Sequence, residues 1–225
     1  MLSAERPVAR SYLLVSAAIV VLALVIQVPI TARAGGGFFT TPPARVGNLF
    51  TYFTILSNIL VAVTSAVLAL RPHTRSLLLR VARFDAVLAI TVTGVVYHVL
   101  LAPLDHQIGA EAFANQLFHT VTPVLAVSGW LVFGPRGLVD RRVLALSVLY
   151  PVAWLVFTLI RGAVIGWYPY PFLQVGELGY GRVALNCAGI TLLFLGLAAC
   201  FAVTDRLLNR QAAKHHTARG AKIDV

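Results

Sequence analysis

Six long apolar segments dominate this chain and leave few folds open to it. They cover about residues 12–31, 47–70, 84–103, 113–134, 143–166 and 183–205. Each reaches the ~20 residues that a helix needs to cross a ~30 Å hydrocarbon layer, and none alternates as the strands of a membrane barrel do. Hydrophobic residues make up 59% of the chain and charged residues 12%, which excludes an ordinary soluble domain. We therefore predict an all-α, polytopic membrane protein with six transmembrane helices in one bundle over residues 1–205, followed by a basic tail at 206–225.

Basic residues concentrate in alternate loops and predict the orientation of the bundle. The N-terminal segment, the second and fourth loops and the tail carry 14 of the 18 Lys and Arg residues. The opposite side carries only Arg33, Arg45 and Arg182, while Arg161 lies inside a span. The positive-inside rule therefore predicts that both termini are cytosolic. The net charge of +10 is then explained by this cytosolic rim and needs no nucleic-acid partner.

The first apolar segment ends in a sequence similar to a signal-peptide cleavage site, Ala32-Arg33-Ala34. A signal peptide has an apolar core of only ~7–15 residues, and this segment is longer. We therefore expect the first helix to be retained in a multi-pass protein. Alanine- and arginine-rich usage favours a bacterial cell (inner) membrane as its location. The sequence does not indicate an oligomeric state.

Polar residues near the outer ends of the spans form the candidate site. They are Thr54, His98, His119, Arg161 and Asn186. Such residues are costly in hydrocarbon and mark functional sites in membrane proteins. Thr54 and His119 should lie about seven and six residues inside their spans, roughly 10 Å deep. Residues four apart share a helix face, so Asn58 should face the same way as Thr54, and Asn115 the same way as His119.

Each of these residues also has a purely structural explanation. A threonine in a membrane helix commonly bonds back to its own backbone, and asparagines join neighbouring helices through hydrogen bonds. His98 can bond a neighbouring carbonyl. Arg161 can snorkel outward, pair with Glu177 across a loop, or bind an anionic ligand.

The chemistry expected of these polar residues depends on Thr54 and His119 acting together. A hydroxyl is a weak nucleophile until an adjacent base takes its proton, and histidine is suited to that task. The amides of Asn58 and Asn115 would stabilise an oxyanion, and Arg161 would hold a carboxylate. The expected depth suits an ester within a lipid, but depth alone does not choose an esterase over other functions.

The aromatic and proline-rich segment Gly166–Leu173 is open to two interpretations. Tryptophan and tyrosine favour the interface between membrane and water, which predicts an anchor. The alternative is a lid over a cleft that faces the lipid.

Short motifs in spans two to six share a pattern with a known family. They are LFTYFTILSN at 49–58, Tyr97-His98, FHTVTP at 118–123, the Gly166–Leu173 segment and Gly179-Tyr180. In these motifs the chain resembles the androgen-induced transmembrane proteins, and its glycine-rich outer loop and Trp-Tyr-Pro segment resemble their bacterial branch more closely. Animal members are threonine hydrolases that cleave fatty acid esters of hydroxy fatty acids. The resemblance implies that Thr54 is the nucleophile, that His119 is its partner and that the substrate is a fatty-acyl ester.

The leading interpretation is a membrane lipid ester hydrolase that uses Thr54 and His119 and no cofactor or metal. Substrate-binding or oxyanion roles are expected among Asn58, Asn115, Arg161, His98 and Asn186. Three alternatives remain open. A zinc hydrolase would use His98 and His119 with Asp105 or His106. A haem carrier would use the same two histidines as axial ligands. A lipid-binding or transport protein would use Arg161 to hold an acidic head group.

Overall fold

The computed structural model describes residues 7–74 and 76–220, with side chains as far as residue 212. Arg6, Arg75 and Lys222, which contribute to the predicted orientation, lie outside the described residues. The described chain forms helices α1 (Pro7–Arg33), α2 (Pro42–Leu49), α3 (Phe53–Leu70), α4 (Leu77–Leu104), α5 (Gly109–Phe133), α6 (Arg141–Ile165) and α7 (Val175–Gly220). Six of these, all except the short α2, are long and apolar enough to cross a membrane. The predicted all-α bundle of six transmembrane helices is confirmed.

Four of the long helices contain local irregularities. In α4, regular helix over Leu77–Val96 is followed by a π-helical turn at Tyr97–Leu101 and a 3₁₀ turn at Ala102–Leu104. In α5, a second π-helical turn at Leu117–Val121 separates Gly109–Gln116 from Thr122–Phe133. In α6, a turn separates Arg141–Leu146 from Leu149–Ile165. Inside α7, Gly179 is non-helical, and a separate 3₁₀ turn, Pro171–Leu173, precedes that helix.

Local sequence signals set several helix ends. Thr41 caps α2 through its side chain and is followed by two prolines at the first helical positions, where proline costs no hydrogen bond. Ser76 caps α4 by accepting from Leu79 N, and Asp140 caps α6 by accepting from Arg142 N and Val143 N. Gly166 ends α6 with a φ of 74°, a conformation that favours glycine.

The centre of the bundle is formed by α3, α4 and α5, with α1 packed alongside. Ala23 of α1, Ile55 of α3 and Phe118 of α5 belong to one buried cluster. Gly94 of α4 lets α5 approach closely, because a Cβ there would lie 3.3 Å from the His119 carbonyl oxygen. The two π-helical turns are therefore neighbours in space. This is consistent with their frequent use at functional sites.

Polar contacts join helices at the end of the bundle opposite the two π-helical turns. This is the end at which the termini are expected to be cytosolic. Asp205 of α7 is buried and accepts hydrogen bonds from Gly137 N and Val139 N, each 3.1 Å long. Arg80 of α4 pairs with Asp140 at 2.7 Å. These contacts tie the loop after α5 to α4 and α7. Helix α7 continues through position 205 to Gly220 without a further break.

Candidate active site

Thr54 of α3 and His119 of α5 meet at the end of the bundle opposite the Asp205 contacts. Thr54 Oγ1 lies 3.3 Å from His119 Nε2, and the Thr54 side chain is buried. His119 belongs to the π-helical turn of α5. The two side chains that the sequence analysis paired are thus within hydrogen-bond reach.

The second ring nitrogen of His119 fixes which nitrogen carries the proton. Nδ1 lies 3.1 Å from the backbone oxygen of Asn115, and a carbonyl oxygen only accepts. Nδ1 must therefore carry the hydrogen, which leaves a lone pair on Nε2 directed at the Thr54 hydroxyl. The ring is also stacked on Tyr97, with centroids 4.1 Å apart.

The hydrogen bonding of Thr54 differs from that of other threonines in the spans. Thr64, Thr91, Thr191 and Thr204 each bond the carbonyl four residues earlier in their own helix, as threonines in helices commonly do. Thr54 is the second residue of α3, so the residue four places before it, Phe50, lies outside that helix. Its hydroxyl instead contacts His119 and Tyr170.

The start of α3 corrects the predicted second span. Position 47 belongs to the separate helix α2, and α3 begins only at Phe53. The prediction that Thr54 lies seven residues inside its span is therefore wrong. The new position places Thr54 at a helix N-terminus, where backbone N–H groups lack helical partners. It also places Thr54 at the positive end of the helix dipole.

Tyr170 completes the immediate surroundings of Thr54 and was missed by the sequence analysis. Its hydroxyl lies 3.2 Å from Thr54 N and 3.3 Å from Thr54 Oγ1. Burial raises the pKa of the Tyr170 phenol to about 12, although hydrogen bonds with Thr54 act in the opposite direction. Tyr170 therefore keeps its proton at neutral pH. Tyr170 lies in the Gly166–Leu173 segment, whose Tyr168 and Leu173 are also buried.

The two asparagines predicted to stabilise an oxyanion are bonded elsewhere. Asn58 Nδ2 donates to the backbone oxygens of Thr54 at 2.8 Å and Phe118 at 3.3 Å. Asn115 Nδ2 donates to the Tyr97 hydroxyl at 2.6 Å and to Asp105 Oδ2 at 2.5 Å. Each amide has two hydrogens, so neither retains a free one.

Asp105, Tyr97 and Asn115 form a network behind His119. Tyr97 donates its hydroxyl hydrogen to Asp105 Oδ2 at 2.6 Å while accepting from Asn115. The network therefore fixes two groups that position His119. One is the Tyr97 ring, on which the His119 ring stacks. The other is Asn115, whose backbone oxygen accepts a hydrogen bond from His119 Nδ1. The sequence analysis considered Asp105 only as a zinc ligand.

The other three predicted residues lie apart from Thr54. Arg161 Nη2 donates to Asn48 Oδ1 at 2.9 Å, and its guanidinium carbon is 5.4 Å from the ring centroids of both Phe39 and Trp167. His98 is exposed, with Nε2 3.1 Å from Thr120 Oγ1. Asn186 donates to the Phe172 carbonyl oxygen at 3.0 Å. Each of these three side chains thus has a hydrogen-bond partner other than Thr54 or His119.

Two cavities meet at Thr54 and Tyr170, since both residues line each of them. The outer cavity encloses about 870 Å³ between the outer loop, α2, α4 and α5, and its lining includes His119, Arg45, Asp105 and Glu111. The apolar cavity encloses about 150 Å³ between α3, α4, α6 and α7. Arg161 is not among the residues that line either cavity.

The zinc alternative needs three protein ligands at one point. Over residues 7–74 and 76–220, no group of three or more His, Cys, Asp and Glu side chains is placed to hold a metal ion. A catalytic zinc site requires three such ligands. His98 is bonded to Thr120, whereas His119 faces Thr54.

Comparisons of the chain with family models, curated proteins and solved structures gave no match.

Proposed function

We propose that the chain is a membrane-embedded hydrolase of fatty-acyl esters, with Thr54 as nucleophile and His119 as general base, in a bacterial inner membrane. The observation that carries the proposal is the directed contact between them. The only nitrogen of His119 free to accept a proton lies 3.3 Å from the Thr54 hydroxyl oxygen. Nucleophile, base and a group that orients the base form the general pattern of nucleophilic catalysis.

The proposed reaction has two steps. In the first, Thr54 Oγ1 forms a bond to the acyl carbon while its proton passes to His119 Nε2. The tetrahedral intermediate collapses, the bond to the leaving alkoxide breaks, and the alkoxide takes the proton from His119. In the second step, water attacks the acyl-threonine, His119 accepts a proton from that water, and the proton returns to Thr54 as the fatty acid is released.

Two features beside Thr54 would stabilise the negative oxygen of the intermediate. The N-terminus of α3 contributes a partial positive charge at Thr54. The Tyr170 hydroxyl accepts from Thr54 N and keeps one hydrogen to donate. In this role Tyr170 replaces Asn58 and Asn115, whose amide hydrogens are already bonded. Preorganised donors of this kind are commonly the largest contribution to catalysis of acyl transfer.

The proposed substrate class rests on the surroundings of Thr54 and on the resemblance in short motifs. An ester has an acyl side and an alcohol side, and Thr54 lies where an apolar cavity meets one whose lining also carries charged and amide groups. A fatty-acyl ester matches this division. The resemblance to threonine hydrolases of fatty acid esters agrees with it.

Active-site labelling tests the proposal. Purified wild type should react with a fluorophosphonate probe, and Thr54→Ala and His119→Ala should abolish the reaction. Thr64→Ala is the matched control, because Thr64 is a buried threonine of the same helix whose hydroxyl bonds its own backbone. Labelling of Thr54→Ala at the wild-type level would remove Thr54 as the nucleophile. Absence of labelling and of ester hydrolysis in wild type would favour the non-enzymatic lipid-binding alternative.

A further inference from the structure

The apolar cavity is bounded mainly by two helices, α6 and α7. Pro151, Val152 and Leu155 contribute from α6, and Ile190 and Leu195 from α7. A space of about 150 Å³ with such a lining stays dry and accepts apolar ligands. Its natural occupant is therefore a hydrocarbon group.

This cavity extends from the outside of the bundle to the candidate site. Val152 and Leu195, which lie on its two sides, are 48% and 49% exposed. Thr54 and Tyr170 at the other end are only 7% and 8% exposed. Because α6 and α7 are apolar spans, their exposed faces meet the hydrocarbon of the membrane. The cavity thus connects the lipid with the Thr54 hydroxyl.

On the far side of Thr54 the lining is mixed and contains more polar groups. The outer cavity that shares Thr54 and Tyr170 as lining residues includes charged and amide side chains such as Gln27, Asp105 and Glu111. A substrate that spans the boundary must therefore be apolar on one side of the attacked carbon and polar on the other. Thr54 Oγ1 lies at that boundary.

We infer that the acyl chain of the substrate enters the apolar cavity sideways from the membrane, between α6 and α7, while the alcohol part occupies the outer cavity. This inference rests on the proposed function. It adds a route of access and assigns the acyl chain to named residues. It also predicts selection for long acyl chains, because each methylene in an apolar pocket contributes to specificity.

Filling the cavity tests the inference kinetically. Ile190→Trp and Leu155→Trp place an indole in the cavity from α7 and from α6. In each, the ratio of kcat/KM for p-nitrophenyl palmitate to kcat/KM for p-nitrophenyl butyrate should fall at least about tenfold. Leu192→Trp and Val156→Trp are matched controls, since these residues lie on the same helices, are exposed and do not line the cavity. The controls should keep the wild-type ratio.

Fluorophosphonate labelling of the same preparations separates the two ideas. Labelled Ile190→Trp and Leu155→Trp proteins that keep the wild-type ratio would overturn the inference and leave the proposed function intact. If either variant is not labelled, the other gives the kinetic answer. If wild type is not labelled, the proposed function fails. Binding of an acyl chain in the apolar cavity must then be measured by a method that does not depend on catalysis.

Photocrosslinking measures acyl-chain binding independently of catalysis. Palmitic acid with a terminal diazirine, added to the Thr54→Ala protein in phosphatidylcholine vesicles, should attach within residues 148–155 and 187–195, and Ile190→Trp in that background should abolish this attachment. Attachment confined to lipid-facing residues outside the cavity, such as Val164 or Val203, would overturn the inference whatever the labelling shows.

Discussion

The phenol of Tyr170 lies 3.2 Å from the backbone nitrogen of Thr54 and 3.3 Å from its hydroxyl oxygen. The loop between α6 and α7 thus places the Tyr170 hydroxyl beside the first turn of α3. This contact lies at the end of the bundle opposite the Asp205 contacts. Tyr170 also lines both cavities. It is therefore the residue outside the predicted set that most directly contacts the candidate nucleophile.

Tyr170→Phe should lower kcat roughly 10²-fold with a smaller effect on KM, since removal of one oxyanion donor costs about that much. Steady-state hydrolysis of a p-nitrophenyl ester measures both constants. Tyr168→Phe is the control, because Tyr168 is buried in the same segment and does not line either cavity. Equal kcat values for Tyr170→Phe and wild type would contradict the oxyanion role.

Asp105→Asn should lower kcat about tenfold while leaving KM nearly unchanged, as expected of a residue that positions a base. Asp105 Oδ2 accepts from both Tyr97 and Asn115, and an amide cannot match both donors as a carboxylate does. The conservative variant Asp105→Glu should recover part of the loss. A rise in KM at constant kcat would instead indicate that Asp105 binds substrate.

Gly162→Ala should destabilise the protein by about 1–3 kcal/mol, because overpacking costs that much in a filled interior. A Cβ at Gly162 would overlap Cε1 of the Tyr168 ring, so the ring and the segment that carries Tyr170 must move. Thermal unfolding in detergent measures the stability, and ester hydrolysis should fall in parallel. Gly196→Ala is the control, since a Cβ there meets nothing within 4 Å, and alanine favours a helix by up to ~1 kcal/mol over glycine.

The stability contributed by Asp140 should depend on pH. A hydrogen bond from the backbone of Val143 and another from the Arg80 side chain lower the pKa of the Asp140 carboxyl. A carboxyl whose folded pKa is depressed stabilises the fold above its unfolded pKa of ~3.9 and loses that contribution as the pH falls through the folded value. Unfolding midpoints of wild type and Asp140→Asn should therefore differ at pH 7, and the difference should shrink as the pH falls below ~3.9. A constant difference across this range would show that the charge is not involved.

The sequence-based predictions agree best with the structure for the spans and least well for the loops. The predicted run 47–70 joined α2 and α3 because apolar content alone does not reveal the break between them at positions 50–52. The threonine and the two prolines at positions 41–43 do signal the separate start of α2. Tyr170 and Asp105 were not assigned to the site because a loop sequence does not specify which of its side chains turn inward.

The sequence by itself determined that six helices cross a membrane, because lipid requires every backbone polar group to be satisfied within the span and each crossing needs ~20 apolar residues. It also singled out the layer of polar residues within the spans, because such residues are costly in hydrocarbon, but the depth that it predicted for Thr54 was wrong, since α3 begins only at Phe53. Only the tertiary structure decided which members of that layer meet. Rotation about each helix axis depends on packing and on the two π-helical turns, which bring His119 to Thr54 and leave His98, Arg161 and Asn186 with other partners.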